Sequence, residues 1–273
     1  MMDSAAFLDN WTEKLQRAGI GTARLDVLVL LEDCLRTSRA HILAHPETPI
    51  QGLPLKRLSA KLARRARHEP LAYIRGFSEF YGRQFKIDRR VLQPRPESET
   101  MIELLKTLRL PINPRIADVG AGSGALGITA MLEVPRAVTD LFEIDENALK
   151  VAELNVKKYR VSARCVFSDL LRASRDAYDV ILANLPYVPS YHHVNEAAGH
   201  EPRLAIYGGG DGLEIYRRLF NQLAEHYSPP QFVLTESLPN QHARLADIAA
   251  GAGYRETARR DFIQVFEIPK ILD

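Results

Sequence analysis

Apolar residues in the first part of the chain recur at helical spacing. Phe7, Leu8, Trp11 and Leu15 form one stripe, Leu25, Leu28, Val29 and Leu35 a second, and Leu55, Leu58 and Leu62 a third. Gly19 and Gly21 break the first pattern, and Pro46, Pro49 and Pro54 punctuate the interval before the third. None of these stripes carries a catalytic group, so residues 1–66 read as a small helical bundle for packing or docking. Over residues 70–95 the pattern changes. Phe77, Phe80, Tyr81, Phe85 and Ile87 with Gly76 and Gly82 predict a β-hairpin. Gln93-Pro94-Arg95-Pro96-Glu97 then predicts a stiff, extended crossing, so residues 67–97 read as a hairpin linker between domains. From residue 98 to 273 strand and helix patterns alternate. Strands are expected at 115–119, 137–143, 162–167, 178–183, 231–236 and 261–268. Helices are expected at 98–108, 125–133, 146–159, 211–226 and 239–252. Such alternation predicts an α/β domain with an open, mostly parallel sheet and helices on both faces.

Composition changes this picture little. The chain has 273 residues, 46% of them apolar, enough for one domain with a sizeable core plus a smaller one. The N-terminus has no basic flank before an apolar core and does not read as a signal peptide, and the longest strongly apolar run, Val27 to Leu31, is far too short to span a bilayer. Cys34 and Cys165 are isolated, which fits inert thiols in a reducing cytoplasm. A net charge of +2 does not suggest a dedicated nucleic-acid binder. The charge is uneven, however. From Lys56 to Arg95 twelve Lys/Arg stand against Glu69, Glu79 and Asp88, a local balance of +9 that leaves −7 for the rest. That stretch reads as a solvated helix face and a hairpin with surface arginines. The alternative is a surface for an acidic partner or for RNA phosphates.

The first strand of the α/β part runs into Asp118-Val119-Gly120-Ala121-Gly122-Ser123-Gly124, which opens a helix. Glycines there let the backbone approach a ligand closely, and in open α/β sheets this turn sits at the ligand-binding switch point. Glu143, at the end of the next strand, can accept the two hydroxyls of a ribose. Gly122, Gly124 and Gly127 also satisfy the dinucleotide fingerprint of a nicotinamide dehydrogenase. Asp118 two residues before Gly120 favours instead the Asp-x-Gly-x-Gly-x-Gly turn of methyltransferases that bind S-adenosylmethionine. Ser168-Asp169, after the third strand, fits beside an adenine amine. Taken alone, Asp169 before Leu170 and Leu171 reads as a helix N-cap.

Asn184-Leu185-Pro186-Tyr187 closes the fourth strand and decides against the dehydrogenase. The nitrogen of a carboxamide or aryl amine is a poor nucleophile because its lone pair is delocalised. A site that methylates it needs acceptors for its N–H groups and a wall for its flat face. Asn184 offers a side-chain carbonyl and Leu185 a backbone carbonyl. Pro186 holds Leu185 extended, and Tyr187 offers an aromatic face. Holding donor and acceptor in line can supply on the order of 7 kcal/mol of the barrier. His192, His193, Glu196 and His200 could suggest a metal, but no second ligand cluster supports one. Glu236, at a strand end, reads as structural or as a hydrogen-bond partner near the substrate.

These residues form part of a longer series. It begins with Glu69-Pro70-Leu71-Ala72-Tyr73-Ile74, Gly76 and Glu79-Phe80-Tyr81-Gly82. It continues through Pro94-Arg95-Pro96-Glu97, the glycine turn and Asn184 to Tyr187. It ends with Glu201-Pro202, Gly208-Gly209 and Asp211-Gly212-Leu213. Over nearly its whole length the chain resembles the HemK/PrmC-type release factor glutamine methyltransferases. The resemblance implies a small N-terminal helical domain for substrate docking, a β-hairpin linker and a class I, Rossmann-like methyltransferase domain. It implies S-adenosylmethionine as methyl donor, S-adenosylhomocysteine as product and no metal. The implied substrate is the glutamine of the Gly-Gly-Gln tripeptide of class I peptide chain release factors, met in the cytoplasm by a monomer without membrane or direct nucleic-acid contact. Asp118, Gly120, Ala121, Gly122, Ser123, Gly124, Glu143, Asp169, Leu170 and Asn184 would then meet the cofactor. Asn184, Leu185, Pro186 and Tyr187 would bind the glutamine amide, with Asn184, Pro186 and Tyr187 as the catalytic set.

The chain departs from that family in places. Leu185 stands where proline is usual, Glu143 where aspartate is, and Gln93 where an aliphatic residue is. The segment Asp261–Phe266 lacks a Gly…Arg insertion many relatives have. Asn-Leu-Pro-Tyr also occurs in rRNA adenine dimethyltransferases. Alternative readings are therefore a ribosomal-protein glutamine or nucleic-acid adenine methyltransferase, or a catalytically silent module that binds S-adenosylmethionine. Leu185→Pro is expected to be nearly neutral unless the Leu185 N–H has a partner.

Overall fold

The computed structural model describes residues 2–192, 194 and 196–269. They form two compact units. One extends to Gly76 and includes a short stretch ending at His200; the other runs from Phe77 to Val194 and from Glu201 onward.

The smaller unit contains β1 (Met2–Asp3), α1 (Ser4–Arg17), α2 (Ala23–Leu35), α3 (Arg39–Ala44), β2 (Pro49–Ile50), α4 (Gly52–Arg65) and α5 (Leu71–Arg75). The Asp3 carboxylate caps α1 by accepting the Ala6 N–H at 2.7 Å. Phe7, Leu15, Leu58 and Leu62 are buried, in line with the first and third stripes. The second stripe is only partly in phase: Leu28 is buried, but Leu25 is exposed, and Val27, Leu30 and Leu31 share the core with Leu28. Helix α2 is apolar on nearly every face, so spacing alone could not select its buried side. The carboxylate of Asp26, buried on α2, is held by Arg65 of α4 at 2.6 Å.

The larger unit opens with the hairpin β3 (Phe77–Phe80) and β4 (Arg83–Lys86). There follow α6 (Glu99–Thr107), β5 (Arg115–Val119), α7 (Ala125–Glu133), β6 (Val138–Glu143), α8 (Glu146–Tyr159), β7 (Arg164–Phe167) and β8 (Val180–Ala183). The chain ends with α9 (Glu214–Ala224), β9 (Phe232–Glu236), α10 (His242–Gly251), β10 (Arg255–Arg260) and β11 (Ile263–Glu267). The seven-stranded sheet has the order β10-β11-β9-β8-β5-β6-β7. Strands β9 to β7 run parallel, and β11 is antiparallel to both its neighbours. Side chains alternate between two cores. Ile116, Val180, Leu182 and Leu234 face one shared with α6, α7 and the hairpin phenylalanines. Ala117, Val119, Ile181 and Val233 face one shared with α9 and α10. This period-2 division is what a sheet covered on both faces requires.

Strand β10 was not anticipated. Its sequence, Arg-Glu-Thr-Ala-Arg-Arg, is charged and lacks alternation, as suits an exposed edge strand that resists pairing with another chain. Within the larger unit, fully buried Asn155 of α8 ties the hairpin to the glycine turn. It accepts the Lys86 N–H at 2.8 Å and donates to the carbonyls of Lys86 and Ser123, each at 2.9 Å.

Candidate active site

From β5 the sheet grows first through β6 and β7, then on the other side through β8, β9, β11 and β10. The reversal lies between β5 and β8. Ligands of open α/β sheets bind beyond the strand ends at such a point. The register places Val119, Ala183 and Thr235 side by side. The next residues, Gly120, Asn184 and Glu236, therefore emerge together, with Glu143 ending β6 on the other flank.

The turn after β5 is built from backbone. Gly120, Gly122 and Gly124 have φ of +77°, +55° and +75°, left-handed values that side chains disfavour. The N–H groups of Gly120 and Ala121 donate to the Phe142 carbonyl at 2.8 and 3.0 Å. Gly122 donates to Glu143 Oε2 at 2.8 Å. Glu143 Oε1 meanwhile accepts from Ile144 and Asp145 at 2.8 and 3.0 Å. The carboxylate expected to take two ribose hydroxyls thus already holds three backbone N–H groups. Counting two lone pairs per oxygen, Oε2 has one position left. Asp118 is buried and accepts the Gly127 N–H at 2.8 Å. Burial, helped by the nearby Glu143, pushes its carboxyl up to about 7 against the pull of the Gly127 bond.

Two concavities open beside this turn. The first is lined by Glu143, Ile144, Ser168, Leu170, Ile215 and their neighbours. The second is lined by Phe80, Gln93, Arg95, Ser98, Asp118 and Ala121, among others. Leu92, Gly120, Gly122 and Asn184 belong to both. In the wall of the first, Leu170 has φ +55°, a costly value for a branched side chain. Helix α9 holds that turn: Gln222 accepts the Leu171 N–H at 3.0 Å, and Arg218 grips Asp169 at 2.5 Å. The Asp169 carboxylate, expected beside an adenine amine, is therefore engaged by a cation.

The Asn184–Tyr187 segment is held by side chains from distant parts of the sequence. Asn184 Nδ2 donates to Ser98 Oγ at 2.9 Å, and Ser98 Oγ donates to Glu236 Oε2 at 2.5 Å. The Tyr187 hydroxyl donates to Glu236 Oε1 at 3.0 Å. Burial, with Glu236 beside it, pushes the Tyr187 phenol up, so it stays protonated as that donor. Gln241 Nε2 donates to the Tyr187 carbonyl at 2.8 Å. A Cβ on Gly208 would lie 2.2 Å from the Pro186 carbonyl oxygen, and one on Gly212 would lie 2.1 Å from that of Tyr187, so the Gly208–Gly212 loop backs this segment without room for side chains. Arg95 reaches buried Glu201 at 2.5 Å, and the Gln93 N–H donates to the same carboxylate at 3.2 Å. That pair joins two stretches of the sequence series, Pro94–Glu97 and Glu201-Pro202.

One expectation is corrected here. The Leu185 N–H has a partner, the Tyr216 hydroxyl at 3.3 Å. That hydroxyl lies 2.5 Å from the Glu236 carbonyl and 3.0 Å from that of Ala183, so its single proton spans the ends of β8 and β9. Leu185 is also buried, with Cδ2 over Gly120. Proline at 185 would remove this donor from a buried site and is not neutral. Ser98, Tyr216 and Gln241 escaped the sequence reading because their partners lie 86, 31 and 54 residues away. No local spacing signals such contacts. Of the His/Glu group, His193 lies outside the described residues. Among the described residues no cluster of three His, Cys, Asp or Glu could hold a metal, and no helix is long and apolar enough to cross a membrane.

The sheet order, the glycine turn and the Asn184 segment define a Rossmann-like methyltransferase. Residues 6–76 match the PrmC N-terminal domain, and residues 98–201 match the methyltransferase small domain. The release factor glutamine methyltransferase of Coxiella burnetii is 36% identical over 245 residues, 88% of each chain. That of Koribacter versatilis is 33% identical over 234 residues, 84% of each chain. A solved methyltransferase from Pyrococcus furiosus shares the fold, with a TM-score of 0.52 at 18% identity over 78% of this chain and 96% of that one. The chain belongs to the release factor glutamine methyltransferase family.

Proposed function

We propose that this methyltransferase moves a methyl group from S-adenosylmethionine to the side-chain amide nitrogen of the glutamine in the Gly-Gly-Gln segment of class I peptide chain release factors. The observation that carries the reading is the position of Asn184, on the wall shared by both concavities. A donor in the first and an amide reaching Asn184 from the second would meet beside it, with Leu185 and Pro186 on the wall of the first.

The first concavity suits the cofactor. Its walls combine apolar side chains for an adenine, the remaining lone pair of Glu143 for a ribose hydroxyl, and the open side of the glycine turn. Bound there, S-adenosylmethionine supplies an electrophilic methyl on a positively charged sulfur. Asp118, Ala121 and Ser123 line the second concavity beside the turn, where a buried carboxylate favours the cationic end of the ligand. Asp169 and Leu170 contribute a wall and backbone groups at the adenine end.

The amide is held by Asn184 to Tyr187. Nδ2 of Asn184 is spent on Ser98, so Oδ1 is the atom left for an incoming N–H. The Leu185 carbonyl, kept extended by Pro186, is the second acceptor. Tyr187 supplies the flat wall, fixed by its bond to Glu236. With both N–H groups held by acceptors, the nitrogen lone pair is turned toward the methyl. The N–CH3 bond forms as the S–CH3 bond breaks, and the nitrogen gives one proton to solvent. Positioning, not an acid or base, is what these residues provide.

The test is mass spectrometry of a purified class I release factor after incubation with the enzyme and labelled S-adenosylmethionine. One label on the glutamine of Gly-Gly-Gln is expected. An unlabelled release factor beside labelled ribosomal protein or RNA would overturn the assignment.

A further inference from the structure

We infer that Ser98 and Glu236 are positioning residues, which set the side-chain amide of Asn184 with its nitrogen inward and its oxygen free, and that turnover depends on this setting. The inference rests on the reading of Asn184 as an acceptor for the substrate amide.

The two ends of an asparagine amide are nearly the same shape, so its orientation must be set by its neighbours. Here the direction follows from a carboxylate. Glu236 can only accept when ionised, and both its oxygens do: Oε2 from Ser98 at 2.5 Å and Oε1 from Tyr187 at 3.0 Å. The one proton of Ser98 is therefore committed to Glu236. What Ser98 turns toward Asn184 is a lone pair, which only Nδ2 can meet, at 2.9 Å. A flipped Asn184 would set its oxygen against a lone pair and close to a carboxylate.

Two further observations point the same way. Ser98 closes a 3-10 turn, Pro96–Ser98, that runs straight into α6, and with helical φ and ψ of −68° and −16° its hydroxyl has no cap bond to make there. Its hydroxyl is used on the site. Glu236 is 1% exposed and has no ion pair among the described residues. An unpaired buried carboxylate is costly, and stability alone would not favour it. Burial, together with nearby Glu97, raises its pKa overall, and the bonds from Ser98, Tyr187 and Asn184 oppose that rise.

The experiment compares Ser98→Ala, Ser98→Thr and Glu236→Gln in the wild-type and Asn184→Ala backgrounds. Turnover and KM on release factor, S-adenosylmethionine affinity by calorimetry and thermal unfolding are measured for each. Ser98→Ala is expected to lower kcat about tenfold or more, a typical cost of a misplaced reacting group, with cofactor affinity nearly unchanged. Ser98→Thr keeps the hydroxyl and restores most of that loss. Glu236→Gln introduces a donor where only acceptors fit and lowers kcat as well. In Asn184→Ala the Ser98→Ala change adds nothing, because the residue it positions is gone. The side-chain amide signal of Asn184 in nitrogen–proton spectra, identified by its loss in Asn184→Ala, moves in folded Ser98→Ala whatever the substrate. A folded Ser98→Ala enzyme with full kcat, or with the same fractional loss in both backgrounds, overturns the inference alone. Full turnover by Asn184→Ala overturns the reading of Asn184 and this inference with it.

Discussion

The glycine turn and the Asn184 segment lie side by side at the switch point, yet they are built in opposite ways. The turn is held mostly from nearby: Asp118 accepts from a residue 9 positions on and Glu143 from one 21 positions back, with Asn155, 32 positions on from Ser123, as the turn's most distant side-chain support. At Gly120 and Gly122, what it turns toward the concavities is backbone. The Asn184 segment is held by side chains 31 to 86 residues distant, and the atoms we propose for the substrate are a side-chain amide and a carbonyl whose settings depend on them. The first is a local motif. The second is a tertiary construction, so it is exposed to changes far away in sequence.

The largest expected effect tests the second region. Asn184→Ala removes an acceptor from a partly buried site and should cut turnover on release factor on the order of 10²-fold. Cofactor affinity should fall far less, because the turn does not depend on it. Steady-state kinetics with calorimetry separates the two. Comparable losses in both would mean that the regions are not independent.

Gly122→Val is the counterpart in the first region. Nothing lies within 4 Å of a Cβ at Gly122, so no packing is lost, but φ is +55° and the new side chain would enter the concavity. A β-branched residue in that conformation costs about 1–2 kcal/mol or more. Cofactor binding should weaken about tenfold or more while the protein stays folded by circular dichroism. Unchanged affinity in a folded variant would remove the turn from the cofactor site.

The same contrast explains what the sequence could show. Asp118, Gly120–Gly124 and Glu143 signalled themselves by spacing, and the parallel core strands by apolar runs of the right length. Asn184–Tyr187 was legible as a motif, but its supports were not. Ser98 looked like an ordinary residue at a helix start, and Tyr216 like part of an amphipathic stripe. The charged strand β10 has no apolar pattern to read, and α2 has too much. What escaped is what depends on contacts between distant residues.

Leu185→Pro sharpens this lesson. Read from sequence, the change looks harmless. In the structure it deletes the bond to Tyr216 and the packing over Gly120. The tyrosine keeps its bond to the Glu236 carbonyl, so the loss should be about 1–2 kcal/mol, a melting temperature lower by a few degrees. Tyr216→Phe should cost less in a Leu185→Pro background than in wild type. Additive losses in scanning calorimetry would show that the pair does not interact.

Asp118 offers a pH test of the turn. Its carboxyl is raised from the ordinary range to about 7 by burial first and Glu143 second. Between about pH 4 and 7 the folded protein therefore keeps a proton that the unfolded chain has lost, and this group's contribution to stability falls as pH rises through that window. A cationic cofactor favours the carboxylate. Its affinity should rise with pH up to about 7 and level off above. Calorimetry near pH 6 in buffers of different ionisation enthalpy should show proton release on binding, lost in Asp118→Asn. Binding without proton release in the wild type would mean that Asp118 is already ionised or does not sense the ligand.

The smallest effect is expected far from both regions, in the basic stretch from Lys56 to Arg95. Of its twelve cations, Arg64 and Arg90 pair with Glu69 and Asp88 inside the stretch, and Arg65, Arg75, Arg83 and Arg95 pair with acids elsewhere in the chain, which meet four of the apparent +9. Lys56 and Arg57 are exposed on α4. If they steer an acidic partner, Lys56→Glu with Arg57→Glu should raise KM for release factor by a factor of about two to five at low salt. The effect should shrink as salt is added, with kcat and cofactor affinity unchanged. Such charges act through encounter, which screening weakens, whereas the role proposed for Asn184 is exerted at bonding distance and should not respond to salt. A salt-independent rise in KM would mean that the substitutions disturb α4 itself, and no rise at all would leave this face as ordinary solvated surface.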